Sequence, residues 1–258
     1  MRAKLLSALA TLFTSLTLPA SAIDAAAVIA ATSTGKTGDV HYRLFTPQKS
    51  EAPLPLVLCL HGSGGRGGDN TTQIRDTWWA PNVLVSPETQ AEHPCFVLMP
   101  QCPKGKRWAD HKWDQGTYDF TATPETAELA AVAALVKKMA AKPEIDASRI
   151  YVTGMSMGGY GTWDLLARYP DLFAAAIPIC GGGDTSSAEQ LKDVAIWVFH
   201  GAEDSVVPVT GSREMVAALK AVGAPVKYTE FPGVKHNSWQ PCWKEKKLVP
   251  WLFAQSKD

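Results

Sequence analysis

Neither sign of charge is in excess in this chain of 258 residues, where 25 lysines and arginines face 25 aspartates and glutamates. No basic run stands out either, and a chain that holds nucleic acid needs one, because most of that affinity comes from neutralised phosphates. Nucleic acid is therefore not an expected partner. The five cysteines are too few for a disulfide-built scaffold. Cys95 and Cys102 flank a predicted strand which, at about 3.3 Å per residue, holds their Cα atoms beyond the ~7 Å bridging limit. Cys59, inside an apolar strand, is expected to be a buried free thiol, and apart from the excluded Cys95–Cys102 pair the connectivity among Cys95, Cys102, Cys180 and Cys242 stays open. No His-x-x-x-His or paired-cysteine spacing occurs, so neither a metal nor a cofactor is expected. Internal repeats, low-complexity tracts and dividing linkers are absent as well. Past residue 22 no stretch is long and apolar enough to cross a ~30 Å hydrocarbon core.

What the N-terminus does have is Arg2 and Lys4, a mostly apolar run from Leu5 to Leu18, and then Ala20-Ser21-Ala22. That layout predicts a signal peptide over residues 1–22, cleaved after Ala22. Ser7, Thr11, Thr14, Ser15 and Thr17 dilute the run, which is too short for an anchor. The expected product is a secreted or periplasmic protein in which residues 23–258 form one domain, a common size for a single α/β unit.

Residues 25–31 and 40–46 read as an antiparallel pair of strands, with Lys36-Thr37-Gly38-Asp39 as a turn. The pattern then changes to short apolar runs, each buried on both faces, at residues 54–60, 95–99, 149–153, 173–179, 194–199 and 226–231. Between Thr123 and Met139, Leu129, Val132, Ala133 and Val136 follow helical spacing, with Thr123 as expected N-cap and Pro124 in the first turn. Strands alternating with helices predict an α/β fold, a mostly parallel sheet covered by helices on both faces.

The strand at residues 150–153 runs into Gly154-Met155-Ser156-Met157-Gly158, and a helical stretch follows. This is a G-x-S-x-G nucleophile elbow between strand and helix, in which a tight turn leaves no room for side chains beside the serine. A serine hydroxyl attacks an ester at neutral pH only with a base in hydrogen-bond reach and an acid to orient that base. Of the six histidines, His41 lies in an edge strand, His93 before a buried strand and His111 in a loop. His61 and His200 sit in strand-end His-Gly steps. His236 alone follows the last strand in a loop able to return over the sheet's C-terminal edge. Just past another strand, Glu203 and Asp204 compete as the acid. The order Ser156, Asp204, His236 is that of an α/β-hydrolase triad. Leu58-Cys59-Leu60-His61-Gly62-Ser63-Gly64-Gly65 supplies a glycine-lined strand end, from which the Ser63 amide joins that of Met157 as oxyanion donors worth about 3–4 kcal/mol each.

Two other patterns carry no function. Gly35-Lys36-Thr37 ends a near-match to a phosphate-binding loop, but it turns into a strand where such a loop must enter a helix. Asn70-Thr71-Thr72 matters only if the source glycosylates exported proteins.

With these residues in place, the chain resembles the polyhydroxybutyrate-depolymerase-like and feruloyl or acetylxylan esterase-like branch of the α/β-hydrolases. The resemblance runs over about Val40 to Phe253. It is carried by Leu60-His61-Gly62, Pro100-Gln101-Cys102-Pro103 with Trp108 downstream, the elbow through Tyr160, Pro178-Ile179-Cys180-Gly181-Gly182, and His236-Asn237-Ser238-Trp239. It implies the fold and the triad, and within it the pattern His-Gly-x-x-Asp-x-x-Val-Pro selects Asp204 as the acid. The implied activity is hydrolysis of a carboxylic ester, free or carried on carbohydrate, with an exopeptidase or a polyhydroxyalkanoate depolymerase as alternatives. Too few residues separate Ala22 from Leu54 for the propeller that gates larger peptidases of this fold. Residues 180–193 are likewise too few for a lipase-like lid domain. An open cleft flanked by Trp108, Trp113, Tyr118 and Trp239, which could stack on a sugar or an aryl acid, predicts short or aromatic acyl groups such as acetyl and feruloyl.

Overall fold

The structure is a computed structural model that describes residues 22–48, 51–76 and 78–257. Nearly all of the expected signal peptide, residues 1–21, lies outside that set. The described residues open with helix α1 (Ala25–Ala30) and the strands β1 (Ser33–Thr37), β2 (Val40–Phe45) and β3 (Leu54–Leu60). Helices α2 (Ala80–Leu84) and α3 (Pro87–Glu92) lead to β4 (Phe96–Gln101), and α4 (Ala127–Ala140) to β5 (Ile145–Met155). After α5 (Met157–Arg168) come β6 (Ala175–Ile179), β7 (Ala195–Gly201), α6 (Val209–Ala221) and β8 (Val226–Phe231). Helices α7 (Trp239–Trp243) and α8 (Leu248–Phe253) close the chain.

The eight strands form one sheet in the order β1-β2-β4-β3-β5-β6-β7-β8. β1, β2 and β4 are joined by antiparallel pairings, and every pairing from β4 through β3 to β8 is parallel. This is a single α/β domain of α/β-hydrolase type. The continuous apolar runs follow from burial on both sides. Leu56, Leu58 and Leu60 pack beneath α4 and α5 with Leu129, Val132 and Leu165, while Val57 and Cys59 face Val83, Trp243 and Leu252 on the other side. A strand's period of two thus feeds two cores, each fully buried aliphatic side chain contributing about 1.5–3 kcal/mol.

Two expectations need correction. Residues 25–31 are not a strand, because Asp24 accepts the Ala27 amide at 2.8 Å and caps α1. An apolar run this short and alanine-rich has no periodicity to separate the two states, and the cap decides. The partner of β2 is β1 instead, across a turn at Gly38-Asp39 in which Gly38 has φ 54°. The second correction is the start of α4, where the cap is Thr126, whose hydroxyl accepts the Leu129 amide at 3.1 Å. Thr123 and Pro124 lie outside the helix, because Glu125 pairs with Ala109 in an isolated antiparallel bridge that keeps the chain extended.

All five cysteines are free and buried, so neither Cys95 with Cys102 nor any other pair is bridged. No helix among the described residues is long and apolar enough to cross a membrane.

Candidate active site

β5 is central in the sheet, between β3 and β6, and Ser156 follows its last residue directly. Ser156 has φ 55° and ψ −120°, a conformation that costs a non-glycine residue about 1–3 kcal/mol and turns the chain at once into α5. The Ser156 amide donates to Ile179 O at 2.9 Å, and its carbonyl accepts from the Gly159 and Tyr160 amides at 2.7 and 3.1 Å. Glycine is required at the flanks. A Cβ on Gly154 would collide with the carbonyl oxygen of Gly158, and one on Gly158 with that of Leu60, so strand, elbow and neighbouring strand touch through bare backbone.

The histidine arrives from the far side of the sheet. β8 ends at Phe231, Gly233 turns the chain with φ 72°, and the loop crosses the end of β7 over Gly201. A Cβ on Gly201 would strike the carbonyl oxygens of Val234 and Lys235. The Ala202 and Glu203 amides donate to Phe231 O and Val234 O at 3.0 and 2.9 Å and fasten the crossing. His236 Nε2 then lies 2.9 Å from Ser156 Oγ, and its Nδ1 lies 2.8 Å from Asp204 Oδ2. An ionised carboxylate only accepts, so Nδ1 carries the proton and Nε2 is left as the acceptor facing the hydroxyl.

The Asp204 side chain is fully buried. Its Oδ1 accepts the amides of Val206 and Val207 at 2.8 and 2.9 Å, while Oδ2 faces His236 and also His200 Nε2 at 3.2 Å. Burial opposes charge on this carboxyl, but the hydrogen bonds from His200, His236 and the two amides outweigh it and hold the group well below the usual carboxylate range. Glu203, its sequence competitor, is exposed.

The loop after β3 passes beside the serine, and a Cβ on Gly62 would stand 3.5 Å from Ser156 Cβ. Among the described residues no hydrogen-bond acceptor is recorded for the amides of Ser63 or Met157, the latter opening α5. Two free N–H groups beside a hydroxyl, one at the positive end of a 12-residue helix, are suited to a developing negative oxygen.

The four aromatic candidates separate. Trp108 is completely buried, its indole N–H donating to His61 O at 3.0 Å and its ring edge-on to His61 at 5.3 Å. It lies behind the Ser63 loop, out of reach of substrate, because Gly161 of α5 leaves space for its Cβ there. Its place on the substrate surface is corrected accordingly. Tyr118 is half-buried and gives its hydroxyl to Asp164 Oδ1 at 2.6 Å. Trp113 packs with Tyr118 against Tyr160 and Val207, and the Arg107 guanidinium lies 5.3 Å from its ring. Trp239 meets the His236 ring edge-on at 5.7 Å, the one candidate in contact with the histidine.

Among the described residues, one trio has ligand atoms close enough to share a metal ion, Cys180, Asp204 and His236, all within 4.8 Å. Its chemistry is poor for that purpose. Asp204 and His236 are already bonded to each other, and burial pushes the Cys180 thiol up to about 12, so no thiolate is present at neutral pH.

Residues 43–241 match the sequence model of the dienelactone hydrolase family. The chain belongs to the dienelactone hydrolase family. This family member is 32% identical over 145 residues to poly(3-hydroxyalkanoate) depolymerase C of Paucimonas lemoignei, a stretch covering 56% of this chain and 32% of that one. It is 27% identical over 217 residues to a bifunctional acetylxylan esterase/xylanase of Neocallimastix patriciarum, covering 81% and 29%. Its fold superposes on the crystal structure of a thermostable esterase with a TM-score of 0.82 and 41% identity, covering 90% of this chain and 64% of that one. The family member spans about a third of the length of those two curated relatives. The sequence resemblance to the depolymerase and acetylxylan esterase branch agrees with these relatives.

His200 is the residue that sequence reasoning passed over. Its strand-end position sets it aside as a base, yet its ring abuts Asp204. The available signal was its place four residues before Asp204 in the strand-end His-Gly step.

Proposed function

We propose that this member of the dienelactone hydrolase family is an exported carboxylic ester hydrolase, with Ser156 as nucleophile, His236 as general base and Asp204 as the group that orients it. The observation that carries the proposal is the continuous relay from Ser156 Oγ to His236 Nε2 at 2.9 Å and from His236 Nδ1 to Asp204 Oδ2 at 2.8 Å. Ser156 Oγ attacks the ester carbonyl carbon while His236 Nε2 takes the hydroxyl proton. The electron pair released from the C=O bond collects on oxygen, where the Ser63 and Met157 amides donate. Collapse expels the alcohol, which takes the proton from His236 and leaves an acyl-serine. Water then repeats the sequence and frees the acid.

Short or aromatic acyl groups, acetyl and feruloyl, free or carried on a polysaccharide, are the substrates this reading favours. Between β6 and β7 the described chain holds only a 3-10 turn, Thr185–Leu191, so nothing there roofs the serine. Trp239 beside His236, with Trp113 and Tyr118 across the loop, offers flat apolar surface for an aryl acid or a sugar. Residues 1–22 act as a signal peptide, and residues 23–258 form the catalytic domain that works outside the cytoplasm.

The test is a hydrolysis panel of p-nitrophenyl acetate, methyl ferulate, acetylated xylan, p-nitrophenyl palmitate and alanine p-nitroanilide, run on wild type and Ser156→Ala. The wild type should turn over the first three best and take up a fluorophosphonate probe, and Ser156→Ala should do neither. Labelling retained in that variant, or a higher kcat/KM for the palmitate or the anilide, would overturn the proposal.

A further inference from the structure

His200 closes β7 with its side chain fully buried, an unusual place for an imidazole that takes no part in the proton relay. Its Nε2 lies 3.2 Å from Val207 O and 3.2 Å from Asp204 Oδ2. Both of those atoms only accept, so Nε2 must carry a proton, in the neutral ring or the charged one. On the other side, Nδ1 lies 2.8 Å from Ser212 Oγ of α6, and that hydroxyl lies 3.0 Å from Gly181 O, just past β6. The ring therefore ties the acid loop to α6 and, through Ser212, to the end of β6. It reaches the loop at both ends, Asp204 and Val207, while the Val207 amide returns to Asp204 Oδ1 at 2.9 Å.

We propose that His200 is a positioning residue for the reaction, its shared Nε2–H fixing the Asp204 carboxylate so that Oδ2 meets His236 in one orientation. This inference rests on the triad proposed above. The Val206 and Val207 amides hold Oδ1, and the His200 N–H adds a second donor on Oδ2 beside His236, so that oxygen stays in place whatever the orientation of the His236 ring. Without His200, Oδ2 would keep His236 alone and the loop would lose its tie to α6. The donor also draws charge from Oδ2, so its removal makes Asp204 a stronger acceptor and His236 more basic. The sign is the same if the His200 ring is charged, since a nearby positive charge would then be lost. The other groups facing this pair stay in place: Glu230, opposite His200 on β8 and bonded to Arg213 at 2.6 Å, and Tyr160 and Cys180 beside Asp204.

The experiment compares His200→Leu, His200→Gln, Ser212→Ala and Asp204→Asn on p-nitrophenyl acetate, with the pH profile of kcat/KM and the Tm of each. His200→Leu should lower kcat by about ten- to a hundredfold with KM nearly unchanged, and shift the acid limb upward by about half a pH unit. His200→Gln keeps an N–H and should recover most of that loss. Added to Asp204→Asn, His200→Leu should cost a further factor of about two at most, because the two act as a unit. If His200→Leu does not fold, Ser212→Ala carries the test, with a several-fold lower kcat that vanishes in the Asp204→Asn background. Wild-type kcat and acid limb in a folded His200→Leu, or in Ser212→Ala where that is the test, overturn the inference. So do losses that multiply fully with those of Asp204→Asn, or a folded His200→Gln as impaired as His200→Leu. Full activity in Asp204→Asn would instead overturn the triad itself, and the role of His200 with it.

Discussion

The indole N–H of Trp108 donates to the carbonyl oxygen of His61 at 3.0 Å, so this tryptophan braces the loop of the Ser63 amide from behind. Thr126 continues the brace by donating its hydroxyl to Trp108 O at 2.7 Å, which links the cap of α4 to the same loop. Trp108→Phe keeps an aromatic ring but removes the donor and part of the indole's buried volume, leaving the His61 carbonyl without that partner. Stability should fall by about 1–3 kcal/mol, and kcat several-fold, with KM for methyl ferulate unchanged. A raised KM with intact kcat would return Trp108 to the substrate surface. Urea unfolding and steady-state kinetics on the one variant decide it.

Glu203 and Asp204 are adjacent in sequence, but only Asp204 is buried against His236. Asp204→Asn should lower kcat by orders of magnitude, about 10⁴-fold where the analogous change has been made in a serine protease triad. Glu203→Gln should leave kcat within about twofold, since it removes an exposed charge only. Activity assays with circular dichroism on both variants are the check, and a larger loss in Glu203→Gln would reverse the assignment.

His61 predicts a pH dependence of stability. Burial drives its ionisation down to about 4, with the bond to Gly62 O opposing and the Arg66 charge assisting. Its Nε2 accepts the Cys102 amide at 2.9 Å and cannot also bind a proton without breaking that bond. Folding therefore excludes a proton that the unfolded chain takes up below about pH 6.5, and stability falls as pH drops from there toward about 4. The full span is worth roughly 3 kcal/mol. His93 and His111, also lowered chiefly by burial, act with the same sign. Urea midpoints between pH 7 and 4.5 should fall for wild type and fall less steeply for His61→Asn. Equal slopes would show that His61 is not the group involved.

Gly201 controls where the histidine loop crosses the sheet. A methyl group there occupies the space of the Val234 and Lys235 carbonyl oxygens, so Gly201→Ala must lift the loop that carries His236. A displacement of about 1 Å at the base costs up to about a hundredfold in rate. The expected result is a large loss of kcat with the fold retained and fluorophosphonate labelling slowed in proportion. Unimpaired turnover would mean that the loop yields without moving the imidazole.

The elements that read correctly from sequence are those whose signal is short-range. The elbow lies within residues 154–158, because the steric demand that selects its glycines acts between neighbours a few residues apart. Strands β3 to β7 show as apolar runs because both faces of a parallel sheet are covered, whereas β8, expected to be buried on both faces, lies at the sheet edge and has no fully buried residue. Ser63, Ser156, Asp204 and His236 could be placed along one edge because each follows a strand, and in a parallel sheet strand ends gather there.

Other features were decided only when distant segments met. Whether residues 25–30 are helix or strand turned on one carboxylate cap, and the start of α4 on a bridge between Ala109 and Glu125. Trp108 looks the same in sequence whether it faces substrate or is sealed beneath His61, and the close packing permitted by Gly161 settles its burial. His200 meets Asp204 and Val207 in the loop after β7 and Ser212 on α6, so the four-residue spacing to Asp204 hints at the contact but only the folded chain holds the ring between loop and helix. Local sequence sets backbone conformation and which faces are apolar. Orientation and burial belong to contacts between segments far apart along the chain, and those exist only in the folded molecule.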